Sequence, residues 1–255
     1  MKAVCPTLLM AALASTAAHA DPQGLSGFVP VQVQDALAVH LGDIEFQGAG
    51  RFDKDTHNSR GSNLWTLSPE VKLGGPIKGL EFVVGTSYGL GDQSGANQGA
   101  GTIAAFYQIN DNTKYVPAFA VEAEYATPYG PGHTTAEYTF QAIATKYLGT
   151  SDKAPRLDVN VFWTHRPQPG LGTRSDQLEI GAAYSMLIRD DTALVVDYVH
   201  GAKPAARQVE NIVDVGFRHE ISKTLAVSIG AGAGIAQQSP AYRVLFSIQK
   251  TFSLF

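Results

Sequence analysis

The chain ends on AYRVLFSIQKTFSLF, residues 241–255. Tyr242, Val244, Phe246, Ile248, Phe252 and Leu254 fall on one parity, and Arg243, Ser247, Gln249 and Thr251 on the other. Side chains alternate across a strand, so this pattern calls for a β-strand with one apolar and one polar face. The stretch is longer than the usual strand of a soluble sheet. It therefore needs a hydrogen-bonding neighbour on each edge and an apolar medium along one whole face.

Eleven upstream stretches repeat the pattern, at 41–52, 64–73, 80–90, 102–109, 115–125, 136–148, 156–165, 177–187, 192–200, 209–218 and 224–234. In the second, Trp65, Leu67, Val71 and Leu73 oppose Thr66, Ser68, Glu70 and Lys72; in the seventh, Leu157, Val159, Val161 and Trp163 oppose Arg156, Asp158, Asn160 and Thr164. Long polar loops such as DKDTHNSRGSN alternate with short turns such as NDNTK and RDD. An even number of amphipathic strands, with long loops at one end and short turns at the other, is the pattern of the bacterial outer membrane. The expected fold is all-β: a transmembrane antiparallel up-and-down β-barrel of about twelve strands, with both termini and the short turns on the periplasmic side. A mean hydropathy near zero does not oppose this, because alternation hides the apolar face from an average.

The N-terminus agrees with export. Lys2, the apolar run Leu8–Leu13 and Ala18-His19-Ala20 have the order of a secretory signal peptide, with cleavage expected after Ala20. The run is far shorter than the ~20 residues of a membrane-spanning helix. Cys5 lies within it, so the mature chain has no cysteine, and neither disulfide nor thiolate chemistry is expected. The expected division is a signal peptide at 1–20, an irregular N-terminal periplasmic segment at 21–36 and the barrel at 37–255. Pro22, Gly24, Gly27 and Pro30 make the middle piece irregular, and Val31, Val33 and Leu37 suit either a short added strand or a plug. A net charge of −4 with no basic run argues against nucleic acid as a partner.

Aromatic residues on the apolar parity gather near strand ends. Phe52, Trp65, Tyr88, Tyr125, Tyr138, Trp163, Tyr198 and Tyr242 lie toward the long loops; Tyr107, Tyr115, Tyr184, Phe217 and Phe252 lie toward the short turns. Two belts a strand length apart suit two membrane interfaces. Lys250, near the second belt, can snorkel. Phe255 falls off the apolar parity, so the barrel is expected to end at Phe252.

The polar parity carries Glu45, Glu70, Glu81, Glu122, Glu124, Asp158, Glu179, Asp197, Glu210 and Asp214, against Arg51, Lys72, Arg156, Arg218 and Arg243. A charge facing lipid at mid-membrane costs about 2–4 kcal/mol, so these residues are expected to point inward and line the pore. One reading is a salt-bridged network filling a narrow barrel. The other is a water-filled passage of negative potential, favouring cationic solutes. A twelve-strand lumen lies between filled and open barrels in width, which favours partial filling.

The residues Gly42-Asp-Ile-Glu-Phe, Leu67-Ser-Pro-Glu-Val-Lys-Leu-Gly and Gly79-Leu-Glu-Phe-Val-Val-Gly, together with Asp214-Val-Gly-Phe-Arg-His-Glu-Ile-Ser-Lys-Thr-Leu-Ala-Val-Ser-Ile-Gly-Ala-Gly and Ser239-Pro240, resemble the outer-membrane family named for the MetA pathway of phenol degradation. That resemblance covers most of the mature chain and implies a transporter-like barrel passing small, including aromatic, compounds. The last strand resembles the C-terminal strand of outer-membrane barrels. The expected partners are the lipid bilayer with its lipopolysaccharide, the barrel-assembly machinery during insertion, and a small-molecule solute; no cofactor or metal is expected. The alternative is a closed-lumen structural or adhesion barrel. Catalysis is not expected: His165 and His200 end strands on the outward parity without a serine motif beside them, and His40, His57, His133 and His219 are scattered without metal-ligand spacing.

Overall fold

The computed structural model describes residues 21–27, 30–54, 62–92, 96–131, 135–151, 153–202 and 209–254. The expected signal peptide and its cleavage site, Cys5, His57, His133 and Phe255 lie outside these. The strands are β1 (Asp43–Lys54), β2 (Asn63–Gly74), β3 (Leu80–Gly91), β4 (Gly99–Asn110), β5 (Ala118–Tyr129), β6 (Glu137–Tyr147), β7 (Arg156–His165), β8 (Asp176–Arg189), β9 (Thr192–Ala202), β10 (Val209–Ser222), β11 (Leu225–Gly234) and β12 (Tyr242–Ser253). Each pairs antiparallel with its sequence neighbours, and β12 returns to β1 to close the barrel, with Phe46 opposite Lys250 and Phe52 opposite Val244. Closure leaves no sheet edge, as hydrocarbon requires, since it offers no hydrogen bonds to unpaired backbone.

Polarity is inside out relative to a soluble domain. Ile103, Phe140, Ile229 and Ile248 are each at least half exposed, whereas Arg156, Asp158, Asn160 and Asp214 have no exposure at all. Period-two alternation produces this sorting: one register fixes every side chain's face. The β4–β5, β8–β9 and β10–β11 ladders shift register close to their turns, and the β2–β3 ladder breaks in mid-strand, passing from Leu67–Tyr88 to Glu70–Gly85. Pro69 lies between and has no N–H to give to β3.

The tightest connections, between β8 and β9 and between β10 and β11, lie at one end and the longest, between β7 and β8, at the other, while those between β4 and β5 and between β6 and β7 match the opposite end in length. Gly79 sits in a short turn at φ +83°, where a Cβ would lie 2.6 Å from the Gln108 carbonyl oxygen. The fifth strand begins at Ala118 rather than Tyr115. Thr113 and Val116 close a turn by backbone hydrogen bond, and the Asn110 side chain donates to the Pro117 carbonyl, so Tyr115 projects from the turn. The strand's other end runs on to Tyr129, opposite Gly99.

The aromatic residues expected at the interfaces lie on the outer surface and form clusters. Phe52 lies 4.8 Å from Trp65 and 6.0 Å from Tyr242, and Tyr125 lies 5.2 Å from Tyr138 (ring centroids). At the other end Phe46 and Phe252 meet edge to face at 5.7 Å. Lys250 turns its ammonium over Phe252 and donates to Thr224 Oγ1. Pairing continues to Ser253, one residue past Phe252, and the Leu254 N–H still donates to the Gly42 carbonyl.

Candidate functional site

The barrel interior is shaped by residues 21–27 and 30–40. Expected as an irregular periplasmic segment at 21–36, with the barrel from 37 and its first strand from Leu41, these residues are irregular but lie inside the lumen, and the first strand begins at Asp43. Inward side chains hold its backbone step by step around the wall. Asp197 on β9 accepts from the N–H groups of Gln32 and Val33, and Asn160 on β7 from that of Gln34. Thr145 on β6 accepts from Ala36, Gln108 on β4 from Ala38, and Glu81 on β3 from Val39. The path descends from mid-barrel at β9 to the short-turn end at β3. A segment with no strand partner leaves its N–H groups orphaned, and these five side chains satisfy six of them.

Apolar packing holds the same segment. Leu25, Val31 and Val33 bury against Ala183, Val195 and Val199; Ala36 packs with Phe106, Ala118, Ala120 and Ile143. Inward glycines give it room: a Cβ on Gly181 would lie 2.8 Å from Val33, and one on Gly230 would lie 2.5 Å from the Pro30 carbonyl oxygen. Pro30 thus occupies the space that Gly230 on β11 leaves.

Arg156 anchors the segment from β7. Its guanidinium reaches Asp158 at 3.0 Å and Asp35 at 3.1 Å, lies 3.5 Å from Asp21, and donates to the Gln23 carbonyl. Asp35 also accepts the Leu25 N–H at 2.7 Å, folding residues 25 and 35 back to back. Burial pushes the Asp35 carboxyl above the usual carboxylate range, and the Arg156 guanidinium pulls it back. Arg218 donates to the Asp21 carbonyl at 3.0 Å.

All fifteen charged residues expected to line the pore project inward, and all but Arg51 and Glu210 divide into two sets. Arg156, Asp158, Asp197, Asp214 and Arg243 are buried and line no water: they grip the N-terminal segment or pair with one another, as Arg243 does with Asp214 at 3.7 Å and Asp53 at 3.4 Å. Arg51 faces Asp53 at 2.7 Å, and Glu210 points inward on β10, half-buried. The second set surrounds two chambers. The outer, of about 310 Å³, is lined by Glu70, Glu122, Glu124 and Glu179. The inner, of about 170 Å³ at the short-turn end, is lined by Glu45, Glu81 and Arg218 together with Asp35 and Asp43. Lys72 and Gln34 line both. Lys72 lies 3.6 Å from Glu70, 3.9 Å from Glu81 and 4.0 Å from Glu45, and Gln34 donates to Glu122 at 3.2 Å. Lys72 on β2 and Gln34 of the N-terminal segment thus stand between the two chambers.

The neutral members of this interior, Gln32, Gln34, Gln47, Gln108, Thr145 and Asn160, were not singled out from sequence, although those on strands share the inward parity with the charges. At the rim, His165 Nδ1 lies 2.9 Å from Asp176, and Ser175 donates to the same carboxylate at 2.7 Å. Serine and histidine each address the aspartate rather than one another, which leaves the hydroxyl without the adjacent base a nucleophile needs. His200 pairs with Asn211, and His219 with Thr192.

No family model and no curated protein matches the sequence. Solved structures do. The COG4313 outer membrane channel from Pseudomonas putida F1 is similar at TM-score 0.58 and 13% identity, over 86% of this chain and 98% of that one. The NanC porin is similar at TM-score 0.55 and 10% identity, over 82% and 98%. The KdgM porin, solved in complex with disordered oligogalacturonate, is similar at TM-score 0.53 and 10% identity, over 82% and 99%. At these identities the likeness is one of fold. The chain is a twelve-strand antiparallel barrel of the transmembrane, bacterial outer-membrane type.

Proposed function

We propose that this protein is an outer-membrane channel for passive movement of small solutes, with a preference for cations, exported through a cleavable N-terminal signal. The observation that carries this reading is the pair of acidic chambers meeting at Lys72 and Gln34 inside a barrel with an apolar exterior. A lumen lined by uncompensated carboxylates concentrates cations and repels anions. The likeness to two porins and an outer membrane channel, and the resemblance to the phenol-degradation barrel family, favour the same reading. Its surroundings are then lipopolysaccharide and phospholipid, reached through the barrel-assembly machinery. The test is single-channel recording in planar bilayers with asymmetric KCl. A small conductance with a cation-selective reversal potential is expected; neither current nor solute uptake in liposomes overturns it.

A second reading, a closed structural or adhesion barrel, is favoured by the segment 30–39 lying within the lumen. It requires that the intact mature chain pass no current, whatever the chain lacking the segment does.

A further inference from the structure

The outer chamber carries a chemical imbalance of its own. Four glutamates line it, against one lysine, and that lysine is shared with Glu45 and Glu81 beneath. Glu70 and Glu122 have partners in Lys72 and Gln34. Glu124 and Glu179 have neither a hydrogen bond nor an ion pair among the described residues. Gln47, on β1, adds an independent sign. It is 97% buried (3% exposed), it lines this chamber, and its Oε1 receives no hydrogen bond. A buried acceptor without a donor costs free energy that a bound donor recovers. Among the described lining residues the fully buried side-chain atoms without a partner are Oε1 of Gln47 and Nε2 of Gln32, and the carboxyl groups of Glu124 and Glu179 tip the unpaired groups toward acceptors. Phe162 and Val83 give the chamber apolar wall as well. A volume of about 310 Å³ holds a small molecule rather than a polymer.

We infer that the outer chamber is a binding site for a small organic cation, a protonated amine or guanidinium on an apolar body. The cationic head lies among the carboxylates of the chamber, of which Glu124 and Glu179 are the unpaired ones, and the apolar part lies toward Phe162 and Val83. A charged N–H donor meeting carboxylates in a confined space makes the stronger class of hydrogen bond, and an aromatic wall suits an organic cation. The site gives the channel reading its solute class and rests on that reading for its role, but binding can be read without any flux.

The test is calorimetric titration of the detergent-solubilised full mature chain with phenethylammonium chloride, alongside 2-phenylethanol, which keeps the ring and loses the charge, and magnesium chloride. Phenethylammonium is expected to bind at least tenfold more tightly than the alcohol, and E124Q/E179Q to weaken it at least tenfold while the barrel keeps its heat-modifiable gel migration. The site is overturned if the alcohol binds as well as the amine, if the double variant binds unchanged, or if magnesium binds and the amine does not. Where the double variant fails to assemble, the comparison of amine with alcohol on the natural chain decides. Binding without conductance removes the channel and keeps the site; conductance without binding does the reverse.

Discussion

Arg156 Nη2 lies 3.1 Å from Asp35 Oδ2, and this contact ties a wall strand to the segment that narrows the lumen. Arg156 has no solvent exposure and Asp158, its neighbour on the same face of β7, has none either. Removing one partner of a buried ionic cluster leaves the others uncompensated, which costs far more than the cluster contributes when whole. Arg156→Met is therefore expected to lower barrel stability by about 3–5 kcal/mol, measured by urea unfolding in detergent. Asp35→Asn is expected to cost less, because the segment can shift while Asp158 keeps its arginine. Equal losses in the two variants contradict this division.

The inward glycines set the space the segment occupies. A Cβ at Gly181 meets Val33 at 2.8 Å and Val199 at 3.4 Å. Gly181→Val is expected to displace the segment and to cost about 1–3 kcal/mol, the usual range for overpacking. Limited proteolysis of the folded variant reads the displacement: cleavage within residues 21–40 should appear that the natural chain resists. An unchanged digestion pattern goes against it.

Selectivity follows from the outer chamber. Glu122 and Glu124 line it from β5, two residues apart on the inward face. Glu122→Gln with Glu124→Gln removes two negative charges with little change of volume. The reversal potential in a KCl gradient is expected to move toward zero. An unchanged potential means that these carboxylates do not govern the passing ions.

The outer face makes a separate prediction about lipid. Ile229 is 61% exposed and sits near the middle of β11 between Phe217 and Phe246. Ile229→Arg is expected to disfavour insertion into phosphatidylcholine vesicles by about 2–4 kcal/mol. The same substitution in a surface strand facing water costs well under that. Folding equilibria in vesicles distinguish the two environments.

The barrel was legible in sequence because a period of two is rigid: Trp163 and Asp158 cannot share a face in one strand, so the apolar parity and the charged parity sorted outward and inward together. The number and order of strands followed from loops and turns that punctuate each run. Harder to read was the filling of the lumen. The described residues between 21 and 40 belong to none of the twelve strands and announce themselves only by Pro, Gly and a few valines. A sign of their position does exist in β9, TALVVDYVHGA, where Ala193, Val195 and Val199 make the inward parity apolar as well. A strand apolar on both faces must be covered on both, and Val31 and Val33 provide the inner cover. Phe106 and Ile143 say the same of β4 and β6. The sorting of charges into anchors and chamber walls was not legible, because parity gives the direction of a side chain and not what it meets there.

The central claim is a conducting acidic lumen narrowed by its own N-terminal segment. Paired single-channel recordings test it most directly: the full mature chain against a chain lacking residues 21–39, both shown to be folded by heat-modifiable migration. A small cation-selective conductance in the first, rising several-fold in the second, is the predicted result. Silence in both forms, or equal conductance in the two, contradicts it.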